Sequence, residues 1–143
     1  MNKTTKLPTA LFVCVHNAGR SQMAEAFFNR LAKGKANALS AGTAPADAID
    51  PTMVEAMREV GIDISGNKPK ALTPDMVGQA DVVVTMGCGA EGVCPATFVE
   101  TEEWGLADPR GKPLPEVRTI RDEIRARVVE LLNKVEHGNR STR

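Results

Sequence analysis

The sequence predicts an α/β fold, a single-domain, four-stranded parallel sheet flanked by helices on both faces. Three observations carry that expectation. Leu11 to Val15 is a continuous apolar run and Asp81 to Met86 a strongly β-branched one, the pattern of strands buried on both faces. Helix-period segments follow the first run and close the chain. The 143 residues are enough for one core and too few for two comfortable ones, so residues 1–143 are expected to form one domain, with residues 1–7 and 138–143 as flexible ends. Strands alternating with helices imply right-handed crossovers and ligand sites at the carboxyl ends of the strands.

Leu11-Phe12-Val13-Cys14-Val15 ends at His16-Asn17-Ala18-Gly19, a strand giving way to a turn. A helix follows from about Ser21, with Met23, Ala24, Phe27, Phe28 and Leu31 as its inward stripe and Gly34 near its stop. A short strand over Asn37 to Ser40 leads to a turn-rich stretch holding Gly42, Pro45 and Asp50. Pro51 stands where a first helical turn tolerates it, and Met53, Val54, Met57 and Val60 recur at helical spacing up to Gly61. Asp81 to Met86 is the second central strand. Gly87, Gly89 and Gly92 fall within six residues that also hold Cys88, just before Cys94 and Pro95, so that segment reads as a mobile loop. A short extended piece runs through Trp104 to the turn Asp108-Pro109-Arg110-Gly111. Val117, Ile120, Ile124, Val128, Leu131 and Val135 step by three or four, an amphipathic helix over Pro115 to Glu136 with a polar tail after Gly138.

Composition narrows the function. Eighteen basic and eighteen acidic residues cancel, so no net positive field holds the chain on nucleic acid or an anionic membrane, and any anion must be gripped locally. The apolar run ending at Val15 is too short to span a bilayer and precedes His16, Asn17 and Arg20 rather than a cleavage site; a cytoplasmic protein is expected. Three cysteines there are catalytic, metal-binding or buried rather than a disulfide framework. Aromatics are scarce, and there is no tyrosine.

Cys14-Val15-His16-Asn17-Ala18-Gly19-Arg20-Ser21 joins a strand end to a helix start. Such a loop points the backbone N–H groups of Val15 to Arg20 into one concavity, to which the helix dipole adds positive potential. A tetrahedral oxyanion fits there, and the Arg20 guanidinium can give two of its oxygens parallel hydrogen bonds. The same surroundings favour a thiolate at Cys14, and Ser21 can add a hydroxyl hydrogen bond. Cysteine at a strand end is otherwise an ordinary buried hydrophobe; Arg20 at its offset favours the catalytic reading. Asn17 suits a left-handed turn position, and His16 receives no catalytic role because a thiolate needs no base.

The loop and the later Asp108-Pro109 pair resemble the low-molecular-weight protein tyrosine phosphatase superfamily. Within it the chain looks most like the thioredoxin-linked arsenate reductases, through Arg20-Ser21-Gln22-Met23-Ala24-Glu25, Ser40-Ala41-Gly42, the Val82 to Thr85 strand leading to a cysteine, and Glu103-Trp104-Gly105. The resemblance implies a three-thiol relay: Cys14 attacks arsenic, Asp108 protonates the departing oxygen, Cys88 displaces arsenite to leave a Cys14–Cys88 disulfide, and Cys94 takes over to give Cys88–Cys94. Thioredoxin is the implied electron donor, with a glutaredoxin or a low-molecular-weight thiol as the alternatives; phosphate or sulfate are the competing anions, and a monomer without cofactor is expected. Cys88 and Cys94 lie one residue closer than in some members, and Gly19 stands where several carry a further cysteine. Some members bind potassium; Asn17, Glu25 and Ser40 match that pattern, but Lys70 stands where an acidic ligand is expected, so no metal is assigned.

Two rivals bear on the same residues. A phosphatase would use the same loop and Asp108, with Cys88 and Cys94 as bystanders, yet related phosphatases place aromatic walls after the Asp-Pro pair, where this chain has Arg110 and Gly111. A zinc or thiol-sensing module would need knuckle spacing, which Cys88 and Cys94 lack. Trp104 is expected in the core beneath the site.

Overall fold

The computed structural model describes residues 7–86 and 100–141. Its elements run β1 (Thr9–Cys14), α1 (Arg20–Ala32), β2 (Asn37–Gly42), α2 (Pro51–Arg58), α3 (Pro74–Gln79), β3 (Val82–Thr85), β4 (Glu100–Glu103) and α4 (Leu114–Ser141). The strands form one parallel sheet in the order β2-β1-β3-β4. The chain leaves β1 toward β2 and returns across β1 to β3, so the crevice between those departures opens at the carboxyl end of β1. Cys14 is the last residue of that strand.

All six residues of β1 are buried, which explains a run without alternation. The strand starts two residues before Leu11 and stops before Val15, because Thr43 N and Ala44 N take the carbonyls of Cys14 and Val15 at 3.1 and 2.8 Å. Side chains alternate across it. Ala10, Phe12 and Cys14 join a large core with α1, α2 and α4, whereas Leu11 and Val13 join a smaller one with Ala80, Val83, Leu72, Met76 and Val77. Helices therefore cover both faces unequally, and α3 is the thin side.

Phe12 meets Phe28 edge-on at 6.0 Å between ring centroids and Trp104 at 5.6 Å. Burial of Phe12 contributes on the order of 2 kcal/mol by area removed from water. Trp104 is thus a core residue, as its solitude in the sequence implied.

Several boundaries differ from the sequence expectation. β2 continues to Gly42, two residues past Ser40. Helix α1 ends with Lys33 in the left-handed region at φ 53°, one residue before Gly34 at φ 84°. In α2 the Asp50 carboxylate caps Thr52 N at 2.9 Å and Pro51 follows at the first turn. That helix stops at Arg58, so Val60 falls outside the stripe and is 39% exposed.

Helix α3 was not legible as a periodic segment; Thr73 Oγ1 caps Met76 N at 3.2 Å and Pro74 starts the turn. Helix α4 runs to Ser141, beyond the expected end at Glu136. Val117, Ile120, Ile124, Val128 and Leu131 are its buried row. The extended piece before Trp104 is the edge strand β4, in register with β3 from Val82↔Glu100 to Thr85↔Glu103. Thr85 Oγ1 donates to Glu103, and the Lys134 ammonium of α4 reaches Glu102. Among the described residues no helix is long and apolar enough to cross a membrane. The loop from Gly87 to Pro95 lies outside the described residues.

Candidate active site

Beyond Cys14 the chain must turn back over the end of β2, and two residues make that turn possible. Asn17 adopts φ 52°, a left-handed conformation that asparagine tolerates better than most side chains. Gly42 lies directly beneath: a Cβ there would stand 2.6 Å from Val15 O and 3.0 Å from Asn17 N. Only glycine lets the loop settle on the strand so closely.

The loop is then fixed from within. Asn17 Oδ1 accepts from Lys70 N at 2.8 Å and from Gln22 Nε2 at 3.0 Å. Gln22 Nε2 also donates to Lys68 O at 3.2 Å, while Gln22 Oε1 accepts from Asn67 Nδ2 at 3.2 Å. With its oxygen so engaged, Asn17 directs its Nδ2 donor to Ser21 Oγ at 2.7 Å. A hydroxyl that accepts there has its one hydrogen left to give, and Cys14 Sγ is 2.8 Å away. Asn17 N adds a second donor to the sulfur at 3.3 Å. The sulfur thus faces the Ser21 hydroxyl and a backbone N–H of its own loop.

Arg20 opens α1 and is 7% exposed. Its Nη1 donates to Leu106 O at 3.3 Å, and its Nη2 lies 3.8 Å from Asp108 Oδ1. The turn following Leu106 thereby brings the half-exposed Asp108 to the same place. Asp108 Oδ1 also accepts from Arg110 N at 3.0 Å, the local bond of an Asx turn.

A cavity of about 300 Å³ opens here, and Cys14, His16, Ala18, Gly19, Arg20 and Asp108 are among its walls. Ala46, Ala48, Ile49, Pro51, Met53 and Pro109 supply the apolar part of its lining. No Phe, Tyr or Trp side chain lines it among the described residues. Val15 and Asn17 are not in the wall; the Val15 side chain packs toward Leu11 and Val13, and Asn17 turns inward. The site thus gathers a sulfur, a buried guanidinium and a carboxylate around space for a small anion.

Cys88 and Cys94 lie outside the described residues. Glu25, Ser40 and Lys70 do come together: Ser40 Oγ donates to Glu25 Oε1, and the Lys70 ammonium lies 3.6 Å from the same oxygen. The positive charge beside Glu25 is therefore the protein's own. Sequence reasoning gave no role to Gln22 or Gly42. Gln22 sits between the better-read Ser21 and Met23, and two of its three partners are 45 and 46 residues away, beyond the reach of any local spacing.

Comparison with known proteins places the chain in a family. Residues 9–141 match the low molecular weight phosphotyrosine protein phosphatase family. An arsenate reductase of Brevibacillus brevis is 43% identical over 122 residues, covering 84% of this chain and 90% of that one. A solved thioredoxin-dependent arsenate reductase of Corynebacterium glutamicum superposes with a TM-score of 0.79 at 37% identity, covering 94% of this chain and 64% of the other. This chain therefore spans somewhat under two thirds of that protein's length. An arsenate reductase structure from Archaeoglobus fulgidus superposes with a TM-score of 0.75 at 34% identity, covering 87% of this chain and 98% of the other.

Proposed function

The chain belongs to the low molecular weight phosphotyrosine protein phosphatase family, and on that premise we propose that it is an arsenate reductase that works through Cys14 and a thiol relay. The observation that carries the reading is the donor pair on the Cys14 sulfur, set in a cavity with Arg20 and Asp108. Relatives of the reductase branch, about 40% identical over most of the chain, support the same substrate.

Arsenate enters as a tetrahedral oxyanion and receives hydrogen bonds from the loop N–H groups and from Arg20. Cys14 Sγ attacks arsenic; an As–O bond breaks, and Asp108 supplies the proton with which that oxygen leaves as water. Cys88 then attacks Cys14 Sγ. The S–As bond breaks with its electron pair remaining on arsenic, which departs as arsenite, and a Cys14–Cys88 disulfide is left. Cys94 attacks Cys88, freeing Cys14 as a thiol, and a thioredoxin reduces the Cys88–Cys94 disulfide. The chemistry suits a cytoplasmic monomer, since reducing conditions keep three thiols available.

A wall whose apolar part is aliphatic, without Phe, Tyr or Trp among the described residues, supports a free oxyanion as substrate in preference to an aryl phosphate, which gains most from such a ring to stack on. The test is arsenite quantification with the full chain, thioredoxin, its reductase and NADPH, with thiols counted before and after. Cys94→Ser should complete one round and stall, and Cys88→Ser should form no arsenite. Sustained turnover by Cys94→Ser would remove the relay.

A further inference from the structure

The cavity has a second guanidinium. Arg110 Nη1 lies 2.6 Å from His16 Nε2, joining the turn after Asp108 to the loop after β1, and both residues line the cavity with Cys14. A guanidinium has donors only, so His16 Nε2 is the acceptor of this contact, which leaves Nδ1 as the ring's donor. That nitrogen faces Ala44 O at 3.4 Å. His16 is thereby held between β2's following loop and Arg110, with its acceptor turned to the arginine.

The charges around this contact are unequal. Two carboxylates share the wall, and both are engaged elsewhere: Asp50 caps Thr52 N at 2.9 Å, and Asp108 accepts from Arg110 N at 3.0 Å while facing Arg20 at 3.8 Å. Among the described residues the Arg110 guanidinium is thus held by an imidazole nitrogen in place of a carboxylate. A cation with its charge left over, fixed in direction at the rim of an anion cavity, is suited to take an incoming oxyanion through its remaining N–H groups.

We propose that Arg110 is a second oxyanion-binding residue, that His16 is the positioning residue that aims it, and that together they give the site its preference for a small free tetrahedral anion. This rests on the anion-binding part of the function proposed above and not on its redox part.

Inorganic phosphate is the probe, read as protection of Cys14 in the full chain from iodoacetamide, with the Cys14 peptide followed by mass. In Arg110→Met the half-protecting phosphate concentration should rise roughly tenfold, and in Arg110→Lys about threefold, because lysine keeps the charge and loses the fork. His16→Leu should give about a threefold rise, and the His16→Leu, Arg110→Met double variant no more than Arg110→Met alone, since one acts through the other. Alkylation without phosphate is measured for each variant and sets the baseline from which its own protection is read. With arsenate, Arg110→Met should raise KM about tenfold and leave kcat within about twofold.

Equal protection of wild type and Arg110→Met would overturn the inference, as would additive effects of the two substitutions. Arg110-dependent protection in a chain that forms no arsenite would uphold it while removing the reductase reading, so the two failures are distinguishable.

Discussion

Ser21 Oγ stands between Asn17 Nδ2 at 2.7 Å and Cys14 Sγ at 2.8 Å, so an amide aimed by Lys70 and Gln22 decides which way a serine hydrogen points. The nucleophile's environment is therefore set from 53 residues away, by a backbone N–H of the segment between α2 and α3.

Removing the hydroxyl tests that chain. Ser21→Ala should slow alkylation of Cys14 at neutral pH roughly tenfold, because a charge-assisted donor is lost. It should also cost about 1 kcal/mol of stability, since Asn17 Nδ2 is left buried without its acceptor. Iodoacetamide kinetics and urea unfolding on the same preparation check both.

Asn17 combines a left-handed backbone with buried polar contacts, and two substitutions separate them. Asn17→Ala should destabilise by about 3 kcal/mol, from lost hydrogen bonds and a Cβ residue kept at positive φ. Asn17→Gly should be milder by about 1 kcal/mol, because glycine accepts that φ. Equal unfolding midpoints for the two variants would show that conformation contributes nothing.

Gly42→Ala should be among the most damaging single changes. Its Cβ would meet Val15 O at 2.6 Å, and a backbone carbonyl held by Ala44 N at 2.8 Å has little room to move. Overpacking of this kind costs about 2 kcal/mol or more. Thermal unfolding measures it, and a fall in Cys14 reactivity should accompany it, since the displaced atoms belong to the loop.

Away from the site, Glu59 carries the clearest pH dependence. Its hydrogen bonds to Arg118, with a further contribution from Arg121, lower its carboxyl from 4.5 to about 2, against a smaller opposing effect of burial. A carboxyl more acidic in the folded chain stabilises the fold above its unfolded value, and that contribution is lost as pH falls from about 4.5 toward 2. Wild type should therefore be more stable than Glu59→Gln at pH 7, with the difference shrinking across that acid range in urea titrations. A constant difference would assign the effect to packing.

Sequence patterns revealed the parts that repeat and the parts whose chemistry is local. Cys14, Arg20 and Ser21 stand within eight residues, and the rows Met23 to Phe28 and Val117 to Leu131 follow the helical period, so both were readable. Helix α3 was not, because six residues containing Gly78 and burying none fully leave no stripe to detect. β4 reads Glu-Thr-Glu-Glu, with three glutamates that disfavour a strand, and is a strand because β3 offers it a ladder. The His16 to Arg110 contact spans 94 positions, and no periodicity reaches so far.

The unequal cover of the sheet bears on where the molecule opens first. Among the described residues, the face holding Leu11 and Val13 is closed by the short α3 and its flanking side chains Leu72 and Ala80. Lifting that segment uncovers far less apolar surface than lifting α1 or α4, so amide hydrogen exchange within α3 should outpace that within α1.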